Sequence, residues 1–342
     1  MPDTEFGCLA TAIGSMPQDD AEAACTQVVK HLKNIPAWPQ LPKRSPLENM
    51  YIQYSQGFPG LVVDGDSLEV RRSDDFEKQL STFYTDFLAN DFYKYAVGAD
   101  YAAGLHAFLN RPGLSPLAVK GQVTGPVTWG LMVTDEHSKA IVYDDTLREV
   151  VPKHLKMKAS WMEKALGQMS NRTIVFLDEP YMAAFGSVGM MLSREDVIGM
   201  LDETFTGIEG VKGVHCCGNT DWSILLATSS DIVSFDTYNY ADSLAIYPTD
   251  VKEFLARRGA IAWGIVPNEA EALKKESVAS LKDRLEEAMA PFTRVGVPFK
   301  RLVEQGLITP SCSLATLGTA AAADRALELL IDLSTKFRQK YL

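Results

Sequence analysis

Gly213-Val214-His215-Cys216-Cys217-Gly218-Asn219 is the stretch from which the rest of this chain is read, with Cys312 about a hundred residues downstream. Ile208, Val211 and Val214 give the preceding segment the apolar character of a short strand. Side chains alternate faces along a strand, so His215 and Cys217 are expected to point together and Cys216 away from them. An imidazole nitrogen and a thiolate on one face suit zinc, which takes mixed nitrogen and sulfur ligands tetrahedrally. A catalytic zinc site needs only three protein ligands plus an open position. Cys312, in Thr309-Pro310-Ser311-Cys312-Ser313, is the candidate third ligand. His-x-Cys alone is a weak signal, because a cysteine is often simply a small buried residue.

The surrounding chain strengthens the signal. Short apolar runs alternate with amphipathic helical stretches. Strands are predicted over Leu9 to Ile13, Leu61 to Asp64, Leu117 to Val123, Thr173 to Leu177, the run ending near Cys217, Ile232 to Phe235, Ala260 to Trp263 and Leu307 to Thr309. Helices are predicted between them. One follows a cap at Asp19 or Asp20, and another runs from Asp145 to Gln168, its true start near Val151 because Pro152 belongs in a first turn. Eight strands alternating with helices predict an α/β fold, a (β/α)8 TIM barrel, with residues 1–342 forming one domain. Residues 34–60 contain Pro36, Pro39, Pro42, Pro46 and Pro59 together with Trp38, Tyr51, Tyr54 and Phe58. That mixture predicts an ordered irregular loop folded over the site.

Polar residues fall at one end of these strands. Ser15, Thr124, Asp178, His215, Cys217, Asp236 and Cys312 each lie at or just past a strand's C-terminal end, the rim where such barrels build active sites. Any one of them alone reads equally well as a cap for the next helix.

Bulk composition limits the alternatives. The 342 residues are 46% hydrophobic and 23% charged, enough to build a large core, and the net charge of −11 disfavours nucleic acid or an anionic membrane as partner. The acidic start, Met1-Pro2-Asp3-Thr4-Glu5, is unlike a signal peptide, and no apolar run approaches a membrane span. Five cysteines without framework spacing suggest a reducing compartment, hence a cytoplasmic protein in which cysteines serve metal or catalysis.

Five segments together resemble the catalytic barrel of cobalamin-independent methionine synthase, within the wider superfamily of uroporphyrinogen decarboxylase-like barrels and corrinoid-linked thiol methyltransferases. They are Ala12-Ile13-Gly14-Ser15-Met16-Pro17, Gly125-Pro126-Val127-Thr128, Asp178-Glu179-Pro180, His215-Cys216-Cys217 and Pro310-Ser311-Cys312. The resemblance implies methyl transfer to the thiol of L-homocysteine, giving methionine. It implies zinc held by His215, Cys217 and Cys312, with Asp236 standing where the family usually has a glutamate. It also implies that homocysteine lies along Ile13, Gly14 and Ser15, its amino group facing Asp178 and an early-loop glutamate, for which Glu48 is best placed.

The chain departs from the family in three ways. It has no room for the family's additional N-terminal barrel. Met132 occupies the position of a folate-associated tryptophan, while Trp129 directly follows the Gly-Pro-Val-Thr motif and, with Thr124, marks the methyl-donor side. Ala262-Trp263-Gly264-Ile265-Val266 lacks the family's proton-donor histidine. Demethylating a folate nitrogen needs a positioned acid, whereas a methylcorrinoid gives up its methyl group without one. The expected donor is therefore methylcobalamin or a corrinoid protein acting as carrier. The alternatives are methyltetrahydrofolate as donor, transfer to another thiol of the coenzyme M kind, a decarboxylase of the superfamily and a non-catalytic corrinoid-binding barrel.

Overall fold

The computed structural model describes residues 4–342. Among the described residues ten strands occur in order: β1 (Leu9–Ala10), β2 (Leu61–Asp64), β3 (Ser67–Val70), β4 (Val119–Thr124), β5 (Thr134–Asp135), β6 (Thr173–Asp178), β7 (Val211–Cys216), β8 (Ile232–Phe235), β9 (Ala260–Val266) and β10 (Gly306–Pro310). Seven form one curled parallel sheet in the order β1-β10-β9-β8-β7-β6-β4, with helices between successive strands. This is the TIM-barrel-like α/β architecture that the alternation of apolar runs predicts.

The barrel's second position differs from the sequence expectation. Leu61 to Asp64 is no barrel strand; it pairs antiparallel with β3 in a separate three-stranded sheet. The segment 34–40, inside the proline-rich stretch, instead bridges the two free edges. Trp38 N donates to the Lys120 carbonyl and Lys120 N to the Pro36 carbonyl, on the β4 side. Gln40 N donates to the Gly14 carbonyl and Met16 N to the Gln40 carbonyl, beyond β1. Pro36 and Pro39 lack N–H groups, so the pairing shrinks to isolated bridges at Ala37 and Gln40. The prolines weaken a strand here without removing it from the ring.

Alternation within each strand divides the core in two. Ile174 and Phe176, Val211, Ile232, Ala260 and Ala262, and Leu307 pack together inside the ring with Leu9, Ile35 and Ala118. Val175, Leu177, Val214, Cys216, Val233, Phe235, Ile261 and Trp263 belong instead to the larger core shared with the helices. Side chains of branched and aromatic type fill the ring's lower end, so it is a packed interior rather than a channel.

Capping follows the sequence signals closely. Asp20 caps the helix Ala21–His31, accepting from Ala23 N at 2.6 Å. Ser193 and Asp196 form a capping box on Arg194–Phe205. The long helix does not wait for Pro152: it begins at Asp145, capped by Asp144, and carries the proline internally. The missing proline N–H costs one helical hydrogen bond. Burial of Leu147, Val150, Val151 and Leu155 along one face holds the first turns in place regardless. Among the described residues no helix is long and apolar enough to cross a membrane.

Candidate metal and thiol site

The parallel register sets a polar row across neighbouring strand ends. Thr124 pairs with Asp178, Asp178 with His215, and His215 with Ser234. All four point into the ring by the two-residue period that sends Val123, Leu177, Val214 and Val233 outward. Cys217 follows His215 on the same side. Cys312 arrives from the loop after β10, where Ser311 N donates to the Val266 carbonyl and fixes the strand's exit.

The ligand atoms of His215, Cys217 and Cys312 all lie within 4.8 Å of one another. His215 is buried, and its Nδ1 sits 3.0 Å from Ser234 Oγ, while Nε2 has no protein partner. A hydrogen bond from Nδ1–H to the serine leaves the Nε2 lone pair free for a cation. The Cys312 thiol donates to Cys217, and His215 lies beside the same sulfur; together they hold the Cys217 pKa well below the ordinary thiol range. The hydrogen bond it gives to Cys217, followed by burial and the neighbouring negative sulfur, pushes Cys312 up. Two sulfurs and one imidazole nitrogen, with that nitrogen unpartnered, fit zinc's donor preferences and leave a fourth position. Cys216 faces the other way, fully buried in the outer core, where burial drives its pKa up to about 12.

Asp236 does not join this group. It caps the helix Thr237–Ala245, with Oδ1 accepting from Asn239 N at 2.9 Å and Oδ2 from Asn239 Nδ2 at 2.7 Å. Burial raises its pKa, and both His215 and Cys217 act on it electrostatically, so it stands near the cluster with its oxygens already employed.

Asp178 is buried beside the cluster with Oδ1 unpartnered. Burial pushes its pKa up to about 6, opposed by Lys120 and His215. The Ile13-Gly14-Ser15 turn is tied to both neighbours. Leu314 N, just past Cys312, donates to the Ser15 carbonyl, and Ser15 Oγ lies 3.3 Å from Gln40 Oε1. Gly14 has a φ of +147°, and a Cβ there would overlap the Gln122 amide, so only glycine fits this turn. Glu48 is buried. Arg44 Nη1 donates to its Oε1 at 2.7 Å, leaving Oε2 unpartnered. Its loop is anchored to the rim by Thr124 Oγ1, which donates to the Met50 carbonyl at 2.6 Å.

Trp129 corrects one expectation. It is fully buried, its Nε1 donating to the Tyr51 carbonyl at 2.9 Å and its ring packed on Phe58 and His154. Thr124 and Trp129 therefore hold the loop down rather than offering a face to a methyl donor. A sizeable cleft, of about 690 Å³, lies elsewhere, lined by Lys156, Glu163 and Thr173, and there Glu163 is occupied by Thr173 Oγ1 and the Gly210 and Glu209 amides.

Three inward polar residues were not singled out from the sequence: Lys120, Gln122 and Ser234. The signal was present. Ala118, Lys120, Gln122 and Thr124 alternate through one strand, so a lysine had to face the ring. Ser234 stands two before Asp236 on the same face.

No sequence family and no curated protein matches the chain. Among solved structures, one from Listeria monocytogenes, provisionally described as a vitamin-B12-independent methionine synthase, is similar at 14% identity and a TM-score of 0.58, covering 98% of this chain and 99% of that one. A B12-independent methionine synthase from Shewanella sp. W3-18-1, solved in complex with selenomethionine, is similar at 16% identity and a TM-score of 0.46; the match covers 65% of this chain and only 63% of that one. At such identities the likeness of the Listeria structure is one of fold, and it extends over essentially the whole of both chains.

Proposed function

We propose that this chain is a zinc-dependent methyltransferase that methylates the thiol of L-homocysteine to give L-methionine. One observation carries the reading: His215, Cys217 and Cys312, from two separate strand ends, bring their ligand atoms within 4.8 Å of one another, with the His215 Nε2 unpartnered. Bound zinc would stabilise a substrate sulfur as thiolate near neutral pH, supplying a nucleophile without a strong base. The three protein residues would hold the ion, and Asp236 would remain a helix cap at its edge.

The residues around the cluster supply selection and placement. The Asp178 carboxylate offers its free Oδ1 to the substrate ammonium, with Glu48 Oε2 as a second acceptor. The Ile13-Gly14-Ser15 turn, tied to the Cys312 loop through Leu314, lines the substrate's path to the sulfur position. A charged hydrogen bond accepted by Asp178 contributes about 1.5–3 kcal/mol, enough to favour homocysteine over simpler thiols by about tenfold to a hundredfold. In the transfer, the S–CH3 bond forms as the donor–CH3 bond breaks, its electron pair staying with the donor. The thiol proton is released to solvent beforehand.

For the donor we favour a methylcorrinoid, free or carried on a partner protein. β9, Ala260–Val266, is buried throughout and offers the ring no acid, and Trp129 offers no stacking face. A corrinoid donor leaves as reduced cobalt and requires no proton. Methyltetrahydrofolate is the second reading, favoured by the B12-independent description of the Listeria structure. One assay tests both: zinc-loaded protein with homocysteine and either methylcobalamin or methyltetrahydrofolate, following methionine. Faster turnover with methylcobalamin is expected. Faster turnover with the folate would replace the donor, and no methionine from either would overturn the function.

A further inference from the structure

Below the rim, the ring interior holds a cation that the chemistry above leaves unused. Lys120, on β4, is fully buried. Its Nζ donates to the Ile13 carbonyl at 2.7 Å and to Gln122 Oε1 at 3.2 Å, and it lies 4.4 Å above the centre of the Phe176 ring. Neither hydrogen-bond partner carries a charge. An ammonium buried among neutral groups is costly unless a counter-charge lies close by. Asp178 is the carboxylate that acts on it, and burial outweighs that help, lowering the lysine's pKa to about 8.

The same contacts reach the substrate turn. Lys120 grips the carbonyl of Ile13, immediately before Gly14. Gln122, the other partner of Lys120, donates from Nε2 to the Trp38 carbonyl at 3.3 Å and fills the space a side chain at position 14 would need. Tyr54 Oη donates to the Gln122 backbone carbonyl at 2.6 Å and closes the support from the loop side. One buried cation thus braces the Ile13-Gly14-Ser15 turn from beneath and faces Asp178 through space without occupying its free oxygen.

We propose that Lys120 is a positioning residue for recognition of the substrate's α-amino group: it braces the Ile13 carbonyl and sets a positive charge behind Asp178 while leaving Oδ1 unbonded. The inference rests on the reading of Asp178 as the ammonium acceptor. Lys120 is not one of the clustered metal ligands, so its removal is expected to act on amino-acid affinity and spare the metal.

The test compares homocysteine with 4-mercaptobutyrate, the same thiol acid without its amino group, in zinc-loaded wild type, Lys120→Met and Lys120→Gln. Glutamine keeps a donor for the Ile13 carbonyl without the charge, and it guards against misfolding of the methionine variant. In both variants the homocysteine KM is expected to rise about tenfold or more, well beyond any rise in the KM for mercaptobutyrate, while the zinc content stays at wild-type values. An equal rise for both thiols would overturn the proposal and reduce Lys120 to a structural support. An unchanged homocysteine KM would overturn it as well. If wild type itself shows no preference for homocysteine, the Asp178 reading fails and the Lys120 inference falls with it, an outcome distinguishable because it is visible before any variant is made.

Discussion

The barrel's two ends treat polarity in opposite ways. At the lower end Ile174, Phe176, Val211, Ile232 and Leu307 fill the ring, and the nearby Glu163 carboxylate accepts from a hydroxyl and two amides. At the upper end Asp178 Oδ1, His215 Nε2, Thr237 Oγ1 and Glu48 Oε2 are buried without partners. A buried polar atom left unpaired costs about 1–3 kcal/mol, so a folded chain tolerates several together only where something else uses them. Outside the ring, however, His154 Nδ1 is orphaned too, among the aromatic rings of Phe58, Phe83, Tyr95 and Trp129, and so is Lys158 Nζ, one turn further along the same helix. An orphan atom therefore points to a site only when its neighbours share a chemistry. The upper rim groups metal donors and acceptors; His154 sits in hydrocarbon.

The strongest way to break this contrast is at Cys312 and Cys216, one facing the cluster and one facing away. Cys312→Ser should lose stoichiometric zinc, measured by metal analysis after dialysis, and lose methyl transfer with it. Cys216→Ala should keep both, because Cys216 faces the outer core. Zinc retained in the first variant, or lost in the second, would place the metal elsewhere.

These residues were legible because strand alternation is a local property. Ile232 to Phe235 is a strand with the very bounds that its apolar run suggests, and His215 and Cys217 fall on one side as period two requires. The misread parts depend on long-range contacts. Segment 34–40 joins the ring although Pro36 and Pro39 argue against a strand, because its few remaining N–H groups meet both edges. Leu61 to Asp64 has strand character, but no local signal says which sheet receives it. Trp129 resembles a cofactor platform in sequence, yet Tyr51 and His154 enclose it. Asp236 looks like a ligand in a list of rim residues, and only Asn239 reveals it as a cap.

The His154 cluster gives the second test, on stability. Its Nε2 lies 2.7 Å from the Tyr54 carbonyl, and burial, helped by Lys158, lowers its pKa to about 3. The unfolded chain takes up a proton below about pH 6.5 where the folded chain does not, so this group's contribution is full above pH 6.5 and is lost as pH falls toward 3. Asp178 and Glu179, raised to about 6 and about 7 by burial, act in the opposite sense. Comparing wild type with His154→Gln cancels them. From pH 7 to pH 4 the variant should lose about 3 kcal/mol less stability than wild type in urea unfolding. Parallel pH curves would show that the ring is not held neutral.

A smaller effect is expected one step behind the metal. Ser234 Oγ sits 3.0 Å from His215 Nδ1 and fixes which ring nitrogen faces the cluster. Removing such an outer partner typically weakens metal affinity by about 10–100-fold. Ser234→Ala should show that loss in a chelator competition while still folding and binding one zinc at saturation. Unaltered affinity would mean the imidazole is oriented by packing alone.

The smallest expected effect separates the two roles open to Asp236. As a fourth ligand, its carboxylate would be needed for tight zinc binding, and Asp236→Asn would lower affinity as sharply as loss of a cysteine. As a helix cap, its work is to accept from Asn239 N, and asparagine caps about as well as aspartate. The geometry supports the cap: both oxygens are taken by Asn239. Asp236→Asn should thus keep zinc stoichiometry and unfolding midpoint near wild type, its affinity falling less than in Ser234→Ala. Asp236→Ala should cost about 1 kcal/mol of stability, the usual loss of an N-cap, and still bind the ion. A large loss of zinc affinity in the asparagine variant, with stability intact, would draw the carboxylate off its helix and into the metal's coordination shell.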